Sequence, residues 1–223
     1  MSHVSPEPRF SSRLLSCASP VLRCASVVLR CACLLLAGFG LCPLAGAATI
    51  VLDPGHGGHD PGGIPGQRVV EKRAALDVAL RVRARLQAAG QKVLMTRSSD
   101  VFVELSQRVA TASRAPSKAV FVSIHFNSAP NSGAHGIETY HFDRRSARLA
   151  AAIHQRVVAA TGEEDRGVRK ARFYVLRYNR RVAVLAELGF LTNAKEGGRV
   201  ARSSEYRQRL ANAVASGVLA VVR

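Results

Sequence analysis

From residue 49 onward, short and mostly apolar runs alternate with longer segments whose apolar side chains recur at helical spacing. Residues 119–124 form an almost unbroken apolar run, whereas the apolar side chains of residues 71–89 recur every three or four positions. Since parallel strands are joined by crossovers that are usually helices, this alternation predicts an α/β domain with a mostly parallel sheet. Apolar runs of this kind are typical of a sheet that helices cover on both faces.

Six strands and four helices are predicted from the alternation. The strands are expected at residues 49–52, 91–96, 119–124, 136–142, 173–176 and 182–187, with the fourth at an edge of the sheet. The helices are expected at residues 71–89, 104–114, 146–160 and 204–222. Gly90 and Gly162 lie just beyond the first and third helices, where glycine is a typical helix stop.

The first 47 residues differ from the rest in composition. Their charged residues are four arginines and one glutamate, and an uncharged, mostly apolar run extends over residues 31–52. Small residues occupy positions 45–48. A basic start, an apolar middle and small residues at the end predict a secretory signal peptide at residues 1–47 and a mature domain at residues 48–223.

A retained membrane anchor is the alternative interpretation, because the uncharged run is 22 residues long. Glycines and a proline interrupt that run, however, and residues 49–52 already have the pattern of the first strand. An anchor ending there would leave no linker between bilayer and domain. We therefore expect an exported protein without a stable membrane anchor. The periplasm is favoured over the extracellular space or the cell wall.

The composition of the mature part limits its chemistry and its partners. All five cysteines lie in the first 47 residues, so thiolate ligands are excluded and any metal must be held by His, Asp or Glu. The chain has 32 Lys and Arg residues, of which four precede residue 48, and 15 Asp and Glu residues, of which one does. Such a basic excess favours an anionic partner, although a merely solvated basic face has the same composition. For an exported protein we expect a carboxylate-rich cell-wall polymer and not nucleic acid.

Four side chains able to bind a metal fall where a predicted strand ends or a helix begins. His56 follows the first strand, His125 follows the third, and Glu187 ends the last. Glu71 opens the first helix. Ligands of open α/β sheets bind beyond the carboxyl ends of the strands, so these side chains are expected at one rim. A lone histidine there is often a loop residue, and a glutamate in a first turn often interacts only with the helix dipole. An unpaired Glu187, in contrast, is costly to bury in an apolar strand.

A catalytic zinc site accounts for the four side chains together. Zinc in enzymes commonly takes three His or carboxylate ligands and leaves one position for water. His56, Glu71 and His125 are the predicted ligands. Glu187 is then the predicted acid/base beside the activated water. The spacing differs from the helical H-E-x-x-H pattern of metalloproteases, which this sequence lacks.

The segments around these residues resemble a known family, the zinc-dependent N-acetylmuramoyl-L-alanine amidases of the bacterial cell wall (amidase type 3). The similar segments are residues 50–58 (IVLDPGHGG), 71–72 (EK), 123–127 (SIHFN) and 187–193 (ELGFLTN). The resemblance runs from residue 49 to the C-terminus. It implies a sheet of about six strands flanked by helices on both faces, the same three zinc ligands and a catalytic Glu187. The implied reaction is hydrolysis of the amide bond between N-acetylmuramic acid and L-alanine in peptidoglycan, by zinc-activated water.

Four further residues are predicted to contact substrate. They are His59 in the glycine-rich loop and Arg97, Asn127 and Arg177 in later segments that resemble the family. Arginine binds carboxylates in bidentate fashion, and peptidoglycan stems carry carboxylates. The expected partner is therefore peptidoglycan. No strong sign of an oligomer is present, so a monomer is expected.

Three other functions remain open at this point. A zinc peptidase cutting within the stem peptide would use the same metal chemistry, and only the resemblance favours the muramoyl bond. A non-catalytic wall-binding protein on the same fold would have lost a ligand or the catalytic carboxylate, whereas all four residues are present here. A nucleic-acid-binding module would interleave surface aromatics with arginine, but aromatic residues are only 5% of the chain.

Overall fold

Six strands form one sheet in the part of the chain that the structure, a computed structural model, describes: residue 1 and residues 47–222. Apart from its two ends, the predicted signal peptide lies outside these residues, and it stays a prediction. None of the helices in the described part is long and apolar enough to cross a membrane.

The elements follow the predicted alternation closely. The strands are β1 (Thr49–Pro54), β2 (Lys92–Met95), β3 (Val120–Asn127), β4 (Ile137–His141), β5 (Asp165–Lys170) and β6 (Val182–Phe190). The helices are α1 (Glu71–Ala88), α2 (Leu105–Arg114), α3 (Ala147–Thr161), α4 (Tyr174–Arg177), α5 (Glu196–Arg202) and α6 (Ser204–Val222). The four predicted helices are thus confirmed, and Gly162 ends α3 in the expected left-handed conformation, with φ of 65°.

The sheet order is β2-β1-β3-β6-β4-β5. Strand β1 pairs in parallel with β2 and β3, and β3 pairs in parallel with β6. Strand β4 runs antiparallel to β6 and pairs in parallel with β5. The predicted α/β domain with a mostly parallel sheet is therefore confirmed. Because β1, β3 and β6 run in the same direction, their carboxyl ends meet at one edge, where His125 is the register partner of Glu187.

Helices cover both faces of this sheet. Side chains of a strand point alternately to its two faces. Ile50 and Leu52 accordingly pack into one core cluster with α1, α3 and α6, whereas Val51 packs into the other with α2 and α4. All three side chains are fully buried. Burial on both faces explains the apolar runs of the central strands.

The segment at residues 173–176 is not the predicted strand but contributes to the helical turn α4. Phe173 and Tyr174 are both exposed, and Val175 and Leu176 are both buried. Two exposed residues followed by two buried ones do not match the two-residue period of a strand, in which successive side chains face opposite ways. The aromatic and branched residues of this segment suggested a strand through their propensity, but packing against the sheet selects a helical turn.

The edge of the sheet also differs from the prediction. Strand β4, predicted at an edge, lies between β6 and β5, and β5 forms the edge instead. No strand was predicted there, because its sequence DRGVRK is charged and has no apolar alternation. Charged side chains are typical of edge strands, since they discourage pairing with another chain. The short helix α5 also escaped prediction because it contains Gly197 and Gly198, which disfavour helix.

Candidate active site

A glycine-rich loop follows β1 and brings His56 to the carboxyl edge of the sheet. His56 has a φ of 59°, a conformation that few residues other than glycine adopt. The loop is closed by two backbone hydrogen bonds between Gly57 and Asp60, of 3.0 and 3.1 Å. A non-glycine residue in this conformation persists only where its surroundings fix it, which is a common property of functional sites.

Three of the predicted site residues converge at this edge. Oε1 of Glu71 lies 3.1 Å from Nε2 of His56 and 3.0 Å from Nδ1 of His125. The ligand atoms of the three residues all lie within 4.8 Å of one another, and the two imidazole rings meet edge to face at 4.9 Å. Helix α1 begins at Glu71, so its first turn directs this buried carboxylate between the two histidines.

The protonation pattern of this group fits a bound cation. Nδ1 of His56 lies 2.8 Å from Oδ2 of Asp60, a carboxylate that can only accept, so Nδ1 carries the proton. In the neutral ring Nε2 then has a lone pair, which faces the carboxylate oxygen of Glu71. Two such lone pairs at 3.1 Å need a cation or a proton between them. Two imidazole nitrogens and one carboxylate are, moreover, a ligand set that zinc commonly takes.

The electrostatics of His56, Glu71 and Asp60 without metal also favour a bound cation. Burial disfavours the charged form of His56, but Glu71 and Asp60 outweigh this effect and raise its pKa. Burial likewise disfavours the charged form of Glu71, but hydrogen bonds and charge interactions with His125 and His56 lower its pKa to about 2. The carboxylate therefore stays ionised at neutral pH, and the site attracts positive charge.

Two glycines leave the space that the histidines occupy. A Cβ atom added at Gly55 would lie 2.2 Å from Cε1 of His125. One added at Gly62 would lie 2.6 Å from Cδ2 of His56 and 2.7 Å from Oε2 of Glu71. Any larger residue at either position would displace a candidate ligand, which gives a physical reason for the glycines of this loop.

Arg97 does not face the cleft in the way expected of a substrate contact. Its side chain is buried, and its guanidinium donates to the carbonyls of Pro54 and Gly55, at 3.0 and 2.6 Å, and to that of Lys72, at 2.8 Å. A fourth hydrogen bond, of 3.1 Å, goes to the carbonyl of Ser99. With its donors committed in this way, Arg97 fixes the loop that carries His56.

Sequence reasoning gave Arg108 no role, although it organises the same loop. It donates to Oδ1 of Asp53 at 2.8 Å, to the carbonyl of Pro54 at 2.7 Å and to the carbonyl of His56 at 2.8 Å. Both members of the Arg108–Asp53 ion pair are buried. One signal was available: Arg108 lies between Leu105 and Ala112 on one face of the predicted helix, where a charge needs a buried partner.

Glu187 lies at the carboxyl edge beside the three candidate ligands. Its Oε2 atom is buried and has no hydrogen-bond partner among the described residues. Burial, together with the charges of Glu71 and Glu138, raises its pKa well above the ordinary value. A carboxyl group whose pKa is raised in this way takes up a proton more readily, which suits the acid/base role predicted for Glu187.

A second buried carboxylate, Glu138, was also missed by sequence reasoning. It is the register partner of Glu187 on β4. It accepts hydrogen bonds from Tyr140 at 2.6 Å, from Asn127 at 2.9 Å and from Arg166 at 2.8 Å. Burial disfavours its charge, but the hydrogen bonds from Tyr140 and Arg166 outweigh burial and lower its pKa. No sequence pattern pairs these residues, because strand order brings them together.

The candidate ligands and Glu187 line one cleft of about 620 Å³. Asn127 also lines it, but its amide nitrogen donates to Glu138 and its carbonyl oxygen accepts from the amide of Ser128. His59 is exposed, and its ring stacks on Phe102, with centroids 4.1 Å apart. Arg177 is exposed and lies over the ring of Tyr178. The substrate contacts predicted for these residues remain predictions.

A mostly parallel α/β sheet with two histidines, a buried glutamate and a second glutamate at its carboxyl edge, one of whose oxygens has no partner among the described residues, is typical of hydrolases that bind a catalytic metal ion. Comparison with known proteins identifies the family within this class. The sequence profile of the Amidase_3 family, described as N-acetylmuramoyl-L-alanine amidase, matches residues 50–220. The chain belongs to this family.

Individual relatives agree with this assignment. The chain is 38% identical over 179 residues to the N-acetylmuramoyl-L-alanine amidase LytC of Bacillus subtilis (strain 168), covering 78% of this chain and 36% of LytC. It is 40% identical over 188 residues to YqiI of the same organism, covering 80% of this chain and 89% of YqiI. The chain thus spans about a third of the length of LytC.

A solved structure extends the comparison to the fold. The catalytic domain of CwlV, an N-acetylmuramoyl-L-alanine amidase from Bacillus (Paenibacillus) polymyxa var. colistinus, superimposes with a TM-score of 0.72 at 37% sequence identity. The match covers 78% of this chain and 97% of the CwlV domain. The matched structure is therefore nearly the whole CwlV catalytic domain.

Proposed function

We propose that this protein hydrolyses the amide bond between N-acetylmuramic acid and the L-alanine of the stem peptide in peptidoglycan. The observation that carries the proposal is the buried, unpaired Oε2 of Glu187 at the sheet edge where His56, Glu71 and His125 converge. Such an arrangement suits hydrolysis. The family and the amidase relatives support the muramoyl bond as its target.

The proposed metal is Zn²⁺, with His56, Glu71 and His125 as its ligands. Bound zinc supplies Lewis-acid chemistry, which polarises a carbonyl oxygen and makes water more acidic. Asp60 accepts from Nδ1 of His56 at 2.8 Å and so keeps Nε2 available as a ligand. The backbone amide of Phe126 donates to Oε1 of Glu71 at 3.1 Å, which holds the carboxylate in place.

Glu187 carries the proton in the proposed reaction. As water attacks the lactyl carbonyl carbon, an oxygen of Glu187 accepts one of its protons. When the C–N bond breaks, the same carboxyl returns the proton to the nitrogen of L-alanine, which leaves as an amine. Burial raises the pKa of the Glu187 carboxyl, which makes it a better acceptor for the proton of the attacking water.

The test is digestion of peptidoglycan by the purified protein, after chelation and after zinc is restored, with the products identified by mass. We expect intact stem peptides that begin with L-alanine, released only when metal is present. Peptides cut inside the stem would identify a zinc peptidase instead. No products from a zinc-loaded protein would favour a non-catalytic wall-binding role.

We also propose that the protein acts outside the cytoplasmic membrane after cleavage of a signal peptide at residues 1–47. The substrate lies there, and the sequence has a basic start, an apolar run and small residues near position 47. Sequencing the N-terminus of the exported protein is expected to give a start near Ala48. An unprocessed N-terminus in the membrane fraction would support the anchor interpretation instead.

A further inference from the structure

A basic and aromatic surface borders the proposed active site and is not used by the proposed chemistry. It consists of Arg172, Phe173, Tyr174, Arg177 and Tyr178, and we call these residues the platform. All five are exposed, and the three rings are 42%, 41% and 52% exposed in chain order. Adjacent exposed aromatic side chains are unusual on a protein surface and often mark an interaction site.

The platform rests on a firmly held segment. Between its exposed side chains, Val175 is buried in the core cluster below. Asn179 donates to the carbonyl of Val175 at 3.2 Å and accepts from the amide of Arg181 at 3.0 Å. The Arg181 guanidinium in turn donates to the carbonyls of Ser113 and Ala115, at 2.8 and 2.6 Å. A surface held in this way loses little conformational entropy when it binds a partner.

Rings and a guanidinium pack against one another across this surface. Tyr174 and Tyr178 have centroids 4.6 Å apart, and Phe173 meets Tyr140 edge to face at 5.1 Å. The guanidinium carbon of Arg177 lies 5.3 Å from the ring centre of Tyr178. The platform therefore presents apolar ring faces beside positive charge.

The positive charge around the platform is only partly balanced, since Glu138 pairs with Arg166 and Arg169 but with neither platform arginine. Residues 166–186 contain seven Arg and Lys and no Asp or Glu. Arg172 and Arg177 form no ion pair with any residue that the structure describes. Both are therefore free to bind a carboxylate, which arginine can do with two parallel hydrogen bonds.

The platform continues directly into the cleft, because Phe173 and Tyr174 line the same cavity as Glu187. We infer that the platform binds neighbouring muramoyl-peptide units of the glycan strand that is being cut. The sugar rings would lie on the aromatic faces, and the stem carboxylates would pair with Arg172 and Arg177. The identity of this polymer rests on the proposed function.

Single-stranded nucleic acid offers a similar combination of stacking rings and negative charge. The shared cavity favours the glycan strand, since a substrate held at Glu187 extends over the platform. Binding is therefore measured with both polymers. The protein carries the change Glu187→Gln and is loaded with zinc, so that no turnover interferes.

The test compares Arg172→Gln/Arg177→Gln with Arg209→Gln, an exposed arginine on α6, on the other face of the sheet. In the Glu187→Gln background, the platform change is expected to weaken binding of soluble, phosphate-free peptidoglycan strands about tenfold, and Arg209→Gln less than about twofold. Tyr178→Ala is expected to weaken it as well. With active enzyme, the platform change is expected to lower kcat/KM for strands relative to a single muramoyl-peptide unit.

Equal binding by the platform variant and its parent would overturn the inference. Equal losses in the platform and Arg209 variants would overturn it too, because only net charge would then matter. Tighter binding of a single-stranded oligonucleotide than of glycan strands would assign the platform to nucleic acid. Failure of the proposed function can be distinguished from failure of this inference. If the parent protein is inactive but its binding of strands still depends on the platform, only the proposed hydrolysis is refuted.

Discussion

The partner of each ionisable side chain determines what that side chain can do at this site. Arg97 and Arg108 have their donors committed to carbonyls and to Asp53, so they hold the His56 loop in place. Glu71 is surrounded by donors and stays ionised. Glu187 is half-buried, its Oε2 has no hydrogen-bond partner among the described residues, and burial raises its pKa. We therefore propose that the same side-chain type acts as a ligand in one place and as an acid/base in the other.

Replacing Glu187 is the first prediction at this scale. Glu187→Gln is expected to lower kcat by a factor of about 10² to 10⁴, because the amide cannot accept the proton from water. Zinc affinity, measured by titration calorimetry, should change little, since Glu187 is not a proposed ligand. Glu164→Gln, an exposed carboxylate, is the matched control and should keep full activity. Undiminished activity of the Glu187 variant would contradict the assigned role.

Asp60 is predicted to set the metal affinity through His56. Asp60→Ala removes the acceptor at 2.8 Å from Nδ1, so the ring loses both its orientation and its fixed tautomer. Metal affinity is expected to fall about 10- to 100-fold in a zinc titration. Asp77→Ala, which removes only the contacts of Asp77 with Arg81 and Arg207, should leave it unchanged. Equal affinity in the two variants would exclude a role for Asp60.

At the scale of elements, the conformation of the loop after β1 depends on glycines, which have no side chain. Gly62 and Gly66 both have positive φ, of 72° and 90°. A Cβ atom at Gly62 would meet His56 and Glu71, whereas one at Gly66 would meet nothing within 4 Å. The two positions therefore separate the backbone strain of a substitution from its effect on the ligands.

Alanine at these two glycines gives a matched pair. Gly62→Ala is expected to weaken zinc binding by at least about tenfold, because the new methyl group displaces ligand atoms. Gly66→Ala should lower stability by about 1–2 kcal/mol through its positive φ and leave zinc affinity within about threefold. Zinc titration and thermal unfolding of both variants check this. Similar zinc affinities would mean that the loop adapts and that Gly62 is not needed for ligand placement.

The Glu138 network links β4 to β5 and, across β6, to β3. Hydrogen bonds from Asn127 on β3 and Arg166 on β5 converge on this one buried carboxylate. Removing its charge is therefore expected to weaken the sheet near the site, although Glu138 is not a proposed ligand. Because its pKa is lowered on folding, its ionised form stabilises the folded state above the ordinary value of 4.5.

The expected result for Glu138→Gln depends on pH. At pH 7 the variant should lose about 1–3 kcal/mol of unfolding free energy, since a charged hydrogen-bond acceptor becomes neutral. As pH falls below about 4.5 and through the lowered pKa, the wild-type carboxylate is protonated and the difference should shrink. Denaturant unfolding at several pH values measures it. A difference that is constant with pH would contradict this account.

The sequence predicted the helices and the central strands because their patterns are local. It placed His56, His125 and Glu187 at the carboxyl edge, although β3 and β6 continue past His125 and Glu187 to Asn127 and Phe190. It failed for residues 173–176, where tertiary packing overrides strand propensity. The Glu138 network could not be predicted, because its members meet only through the pairing of β4 with β5 and β6.

At the scale of the whole molecule, one edge of the sheet gathers the candidate ligands, Glu187 and the platform. The candidate ligands and Glu187 come from the loop after β1, the start of α1 and the carboxyl-terminal parts of β3 and β6. Most of the platform lies on α4. A polymer lying along this edge would meet the hydrolytic group and the basic aromatic surface together. The central claim is that the bond cut there joins the lactyl carbonyl to L-alanine.

Hydrolysis of peptidoglycan in ¹⁸O-labelled water by the zinc-loaded protein tests that claim most directly. Mass spectrometry of the products shows which carboxyl group has received the oxygen of water. We predict that the label is in the lactyl carboxylate of N-acetylmuramic acid and that the released stem peptide is unlabelled, with a free L-alanine amine. Label in a carboxyl group of the peptide would show that a stem peptide bond is cut, and would contradict the account.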